Sequence, residues 1–163
     1  MVCSCIVNTP IGEMRASAEN GKLSGLWFVG QKYYPAQSHE WPEDGDCPVF
    51  GSLRGWLSDY FAGKNPAPAI DLEPGGTDFQ KSVWAALLKI PYGTLATYGE
   101  IAKQVGCKCA RAIGGAVGHN PISILIPCHR VIGSNGDLTG YAGGIGKKEA
   151  LLSIERARFT VFA

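Results

Sequence analysis

Along the first thirty residues, apolar and polar positions alternate in short runs. That is the period of strands whose side chains point to opposite faces. Val2–Val7 is one run, turned by Asn8-Thr9-Pro10 with Gly12. Glu13–Ala18 follows, and Asn20-Gly21, a strong hairpin pair, leads into Leu23–Val29. The pattern predicts a β-meander. Residues 30–48 hold Pro35, Pro42, Pro48 and scattered acids, and predict loop. The period then changes: Val49, Phe50, Leu53, Trp56, Leu57, Tyr60 and Phe61 recur at helical spacing, predicting a helix with its aromatic face on the sheet. Trp27, Tyr33, Tyr34 and Trp41 are assigned to core and loop packing.

Gly63-Lys64-Asn65-Pro66-Ala67-Pro68-Ala69 reads as a linker extending to Gly75-Gly76. Thr77-Asp78-Phe79-Gln80 is a capping box, and Phe79, Val83, Leu87 and Leu88 continue it as an amphipathic helix. Pro91-Tyr92-Gly93 breaks that helix. Thr97-Tyr98-Gly99-Glu100 is a second capping box and opens a short helix that Gly106 ends, and another spans about Cys109–Val117. Two short helices around a glycine-containing turn are the outline of a helix-turn-helix, an outline many helix pairs share. After Asn120-Pro121, the apolar run Ile122–Ile126 predicts a buried strand that delivers Pro127-Cys128-His129-Arg130.

The 163 residues, 45% hydrophobic and 18% charged, suffice for a core and exclude disorder, collagen and coiled coil. No apolar run approaches the roughly 18 residues of a membrane span, so no membrane partner is expected. Met1-Val2-Cys3-Ser4-Cys5 lacks a charged leader and a long apolar stretch, so no secretory signal is expected. The six cysteines then point to a reduced, cytoplasmic protein. Cys3-x-Cys5 and Cys107-x-Cys109 are too close for the usual zinc spacing and there are three histidines, so no metal site is expected. Charge is divided unevenly: residues 1–76 net −4 and residues 77–163 net +5. A basic C-terminal half suits a polyanionic partner, although a small protein reaches such asymmetry by chance as well.

Two features carry candidate chemistry. Ala110-Arg111-Ala112-Ile113-Gly114-Gly115-Ala116-Val117-Gly118 holds adjacent glycines inside a helix, each costing about 1 kcal/mol relative to alanine. Such a helix suits either tight packing within the protein or close approach to a narrow groove. The minor groove of DNA is about 6 Å wide, and Arg111 is the one long side chain there able to wedge between bases. The second feature is Cys128 beside His129, which raises nucleophilic catalysis. Most buried cysteines are inert, and in an extended strand neighbouring side chains diverge. A direct pair would need a bend or a bridging water.

Ile126-Pro127-Cys128-His129-Arg130-Val131 resembles the signature of the O6-alkylguanine-DNA alkyltransferases, or methylated-DNA–protein-cysteine methyltransferases. The resemblance begins near Phe79 and runs through Tyr92-Gly93, Thr97-Tyr98, Ala110-Arg111-Ala112, Gly114-Gly115-Ala116 and Asn120-Pro121. It continues to Tyr141-Ala142-Gly143-Gly144, Lys148-Glu149, Leu151-Leu152 and Glu155, about half the chain. It implies an α/β (α+β) fold: residues 1–76 as a small ribonuclease H-like antiparallel sheet with a helix, plus linker, and residues 77–163 as a helical DNA-binding and alkyl-acceptor domain. It implies single-turnover repair of O6-alkylguanine, less efficiently of O4-alkylthymine, in duplex DNA bound through the minor groove by a monomer without a cofactor. The cell compartment would be cytoplasm, or nucleus in a eukaryote.

The resemblance also implies roles. Cys128 would accept the alkyl group, His129 would act as base through a water, and Glu155 would orient and charge-balance His129. Tyr98 would help rotate the target phosphate and give a proton to the leaving guanine. Asn120 would hinge two elements through backbone bonds. Arg111 would replace the extruded base, with Ala110, Ala112, Gly114 and Gly115 on the DNA face and Ser134 on phosphate. Tyr141, Ala142 and the Val131 carbonyl would form the base pocket. Ala142 stands where some members have serine, and Gly118-His119 where others carry a basic residue. Cys107 and Cys109 are assigned to packing. A lesion sensor without catalysis, a helix-turn-helix regulator and a cysteine hydrolase stay open as alternatives.

Overall fold

The structure, a computed structural model, describes residues 2–138, 140–156 and 158–159. Three antiparallel strands, β1 (Cys3–Thr9), β2 (Gly12–Glu19) and β3 (Lys22–Phe28), form the expected meander. Asn20 and Gly21 both take positive φ, 55° and 75°, the twist a two-residue hairpin prefers. At Gly25 a Cβ would lie 2.0 Å from the Trp27 ring, which folds back over it. Trp27 meets Trp41 at 5.8 Å, and the Tyr34 hydroxyl accepts from Arg15 Nε at 2.8 Å, so these aromatics pack as expected. Residues 30–48 are mostly loop, with one 3-10 turn at Ala36–Glu40.

Helix α1 (Pro48–Phe61) begins with proline, where no N–H is needed. It buries Val49, Phe50, Leu53, Leu57 and Tyr60 and packs against all three strands. The segment after it joins the sheet: Leu23 N–H donates to Asp71 O at 2.9 Å, and Glu73 N–H donates to Leu23 O at 2.8 Å. Further along the same edge of β3, Leu26 N–H donates to Pro121 O at 2.8 Å and Ser123 N–H to Leu26 O at 2.9 Å. The edge of β3 is therefore shared by the connecting segment and the C-terminal half. Buried residues of both halves form one cluster.

The C-terminal half holds α2 (Asp78–Leu87), β4 (Thr94–Thr97), α3 (Tyr98–Val105), α4 (Ala110–Gly118), β5 (Val131–Ile132), α5 (Ile145–Glu155) and β6 (Arg158–Phe159). The capping box at Thr77 and Gln80 forms in both directions. Phe79 and Leu88 lie beyond the ends of the buried stripe of α2 and are 38% and 51% exposed. Trp84 is buried instead, and its indole N–H donates to Ala116 O at 2.8 Å, tying α2 to α4. Gly106 ends α3 at φ 71°, as the helix-turn-helix outline requires. β4 pairs in parallel with β5 and β6, a small sheet that the sequence pattern did not predict.

Ile122–Ile126 is not a strand. Ile126 N–H donates to Ile122 O at 3.1 Å, closing a turn, and Ile124 sits at φ 71°. A β-branched residue there costs roughly 1–3 kcal/mol. The run is apolar because the turn is buried: Ile122, Ile124 and Ile126 are each at most 1% exposed.

Candidate active site

Asn120 builds the turn that carries the cysteine. Its side chain accepts from Ile122 N–H at 3.0 Å and donates to Ile126 O at 2.8 Å. These bonds bridge the end of α4 to the entrance of the Cys128–Arg130 3-10 turn. They also hold Ile124 in its unfavourable conformation. Asn120→Ala leaves the buried Ile122 N–H unpaired, costing about 1–3 kcal/mol, while Ile126 O keeps the Cys128 N–H at 2.8 Å. Urea unfolding of this variant is expected to show a loss of about 2 kcal/mol; an unchanged midpoint would mean the turn holds itself.

Because Cys128, His129 and Arg130 lie in a 3-10 turn rather than a strand, their side chains need not alternate. Cys128 is 7% exposed. Burial pushes its thiol up, while the Asn120 side chain and the Lys148 charge pull the other way. His129 is fully buried and held below its ordinary 6.5, chiefly by burial. The nearby carboxylate opposes that shift, and Arg130 and Lys148 add to it. His129 Nε2 lies 2.6 Å from Glu155 Oε2, so the ionised carboxylate fixes the proton there. His129 Nδ1 is buried and has no hydrogen-bond partner among the described residues. It is left as the basic atom.

Glu155 is the hub. Its Oε2 also accepts from the Tyr60 hydroxyl at 2.5 Å. Its Oε1 accepts from Arg130 Nε at 2.7 Å and from Gly93 N–H at 3.3 Å. Burial alone would raise its pKa, but His129 and Arg130 outweigh burial and lower it to about 2. While His129 is neutral, the Arg130 guanidinium is the constant source of that stabilisation, since it never loses its charge.

Tyr98 and Tyr141 stand close to the thiol. Both phenols are pushed up, first by burial and then by the Cys128 charge, so both keep their protons. A Cβ on Gly140 would lie 3.2 Å from Tyr98 Oη. The Ser123 hydroxyl lies near Tyr141 Oη without meeting hydrogen-bond geometry. The Val131 carbonyl accepts from Lys148 Nζ at 2.5 Å.

The outer face of α4 is bare. Ala110, Arg111 and Gly115 are exposed, and Ala112 and Gly114 are half-buried. A Cβ on Gly114 or Gly115 would meet nothing within 4 Å. Tight packing inside the protein is therefore not what these glycines serve; they leave room outside it. A cavity of about 400 Å³ opens beside them, lined by Arg111, Gly114, Gly115, Tyr141 and Ala142, with Tyr33 and Lys32 from the N-terminal half. Tyr33 is 48% exposed and stacks on His119 at 3.8 Å. Ser134 lies elsewhere, exposed in the turn after β5 and lining a different cavity with Leu95 and Ile132.

Three members of the site had no assigned role in the sequence reading: Lys148, Arg130 and Tyr60. Lys148 is 1% exposed, and burial lowers its pKa to about 8, with the Cys128 charge opposing. A signal existed for it: Lys148, Leu151 and Glu155 share the buried face of α5, and a lysine and a glutamate on an apolar stripe call for partners. Tyr60 gave no signal, because a tyrosine on the apolar stripe of α1 reads as core.

Residues 78–157 match the family described as 6-O-methylguanine DNA methyltransferase, DNA binding domain. The methylated-DNA–protein-cysteine methyltransferase of Mycobacterium bovis is 46% identical over 153 residues, covering 93% of this chain and 91% of that protein. The one from Methanosarcina acetivorans is 45% identical over 151 residues, covering 92% and 96%. Among solved structures, the O6-methylguanine methyltransferase of Mycobacterium tuberculosis superposes with a TM-score of 0.85 at 46% identity, covering 96% of this chain and 93% of that one. The same organism's protein in complex with DNA gives 0.83 at 43% identity, covering 95% and 92%. With likeness running through both halves and a cysteine, a histidine and a glutamate meeting at one buried turn, this chain belongs to the methylated-DNA–protein-cysteine methyltransferases.

Proposed function

We propose that this protein repairs alkylated DNA by moving the alkyl group of O6-alkylguanine, and less efficiently O4-alkylthymine, onto its own Cys128. The observation that carries this reading is the buried relay from Cys128 past His129 to Glu155, beneath a bare helix face. Cys128 loses its proton to His129 Nδ1 through a water. The thiolate attacks the alkyl carbon, the S–C bond forms, and the bond to O6 breaks. Tyr98, kept protonated, gives its proton to the leaving guanine. The thioether is permanent, so each chain acts once. A cysteine hydrolase would need a direct thiol–imidazole pair, and His129 Nδ1 makes no such bond among the described residues.

A base inside a duplex cannot reach a buried thiol and must be flipped. In this reading α4 lies in the minor groove as a monomer binds, Arg111 fills the gap, and Tyr141 and Ala142 receive the base. Ser134 would meet phosphate from its separate turn. The reaction belongs where DNA is, the cytoplasm, or the nucleus in a eukaryote. Arg111→Ala leaves the unstacking cost of a few kcal/mol uncompensated. Single-turnover repair of duplex DNA is expected to slow about tenfold or more, each tenfold being about 1.4 kcal/mol. Reaction with free O6-benzylguanine should stay near normal, and Arg111→Lys should rescue little, since an ammonium does not stack as a guanidinium does. Equal losses on both substrates would make Arg111 structural.

A further inference from the structure

Helix α1 reaches the reaction centre from the acidic half of the chain, ninety-five residues from Glu155 in sequence. Tyr60 is 1% exposed, and its hydroxyl and His129 Nε2 converge on one oxygen, Glu155 Oε2, at 2.5 and 2.6 Å. Its ring is fixed independently, stacked on Trp56 at 5.4 Å and set edge-on to Phe61 and Tyr92. A hydroxyl so held fixes where the shared oxygen can lie.

We propose that Tyr60 is a positioning residue for alkyl transfer: its hydroxyl holds Glu155 Oε2 on His129 and weakens that carboxylate's grip on the protonated imidazole. This rests on the alkyl-transfer reading. Each hydrogen bond to a carboxylate spreads its charge and lowers its basicity. Glu155 is faced by Tyr60 from α1, by His129 and Arg130 from the 3-10 turn, and, farther off, by Tyr92. His129 additionally feels Lys148 from α5. Arg156, next to Glu155, acts on Tyr92, and Tyr141 on Tyr60. Of these groups only Tyr60 and His129 share Oε2. The phenol is pushed far above its ordinary value by burial and then by the Glu155 charge, so it remains a donor throughout. Losing it leaves His129 as the one donor on that oxygen among the described residues, and the imidazolium becomes easier to form.

The base must be unprotonated before transfer, so the rate falls on the acid side as His129 gains its proton. Tyr60→Phe keeps the ring contacts and removes only the hydroxyl. Single-turnover repair of duplex O6-methylguanine, followed against pH, is expected to show the acid limb of this variant moved upward by about half a pH unit or more. An acid limb that stays in place, whatever the plateau rate, overturns the proposal and leaves Tyr60 as packing. Failure of the alkyl-transfer reading looks different: the wild type would then transfer nothing at any pH. Should the variant not fold, the wild type still decides. With tyrosine ¹³C-labelled at the ring carbon bearing the hydroxyl, one resonance is expected to move with the midpoint of the acid limb. No tyrosine resonance tracking that midpoint overturns the proposal.

Discussion

Cys128→Ala is expected to transfer no alkyl group at all, while still binding a duplex that carries O6-methylguanine. The loss is complete because the step has one acceptor atom, and none of its neighbours is a nucleophile of comparable strength. In the proposed reading binding survives because it draws on α4, Tyr98 and the cavity beside Tyr141, all of which keep their own side chains in this variant. In the wild type, mass measurement after reaction with excess lesion should show one added alkyl group per chain, at Cys128, without any added cofactor. More than one lesion repaired per chain would sink the stoichiometric mechanism. A label on Cys107 or Cys109 instead would move the acceptor to the helix-turn-helix turn.

Glu155→Gln carries the second large effect. The amide keeps the shape but loses the charge that balances the imidazolium, and its NH2 group has to face a donor. With His129, Tyr60, Arg130 and Gly93 all donating to the two carboxylate oxygens, no orientation of glutamine satisfies them. Transfer should slow about a hundredfold or more, the scale of general-base contributions. Breaking a buried ion pair costs roughly 3–5 kcal/mol, and at this chain length each kcal/mol is worth about 2–4 °C. A fall in Tm of about 10 °C is therefore expected. Affinity for lesion DNA should change little. The stabilisation belongs to the ionised carboxylate, whose pKa falls from 4.5 to about 2 on folding. It is complete above pH 4.5 and lost as pH falls toward 2, so the two proteins should converge in stability in acid. An unchanged single-turnover rate would remove Glu155 from the mechanism.

Local rules made most of the elements legible in the sequence. The Asn20-Gly21 hairpin, the Thr77 capping box and the Gly106 helix end depend on a few neighbouring residues, and each appears where its pattern stands. Ile122–Ile126 failed because an apolar run reports burial, not conformation; its shape is dictated by Asn120, and no periodicity encodes that bond. The parallel pairing of β4 escaped because strands of four and two residues are too short to show a period. In the site, Cys128 and His129 were readable as an adjacent pair, and Asn120 and Glu155 through resemblance. Tyr60 was not, because its partner is fixed only when α1 docks. Lys148 could have been read from the stripe of α5.

The bare face of α4 has a consequence for where repair can occur. Reading a base by its edge takes a side chain with paired donors or acceptors, such as a bidentate arginine, asparagine or glutamine. Ala110, Ala112, Gly114 and Gly115 carry none, and in the proposed reading Arg111 is committed to the stack. If α4 is the face that meets DNA, a helix so stripped has no preferred neighbours on either side of the lesion. Damage would then be found by how readily a nucleotide leaves its partner, with every sequence context open to inspection.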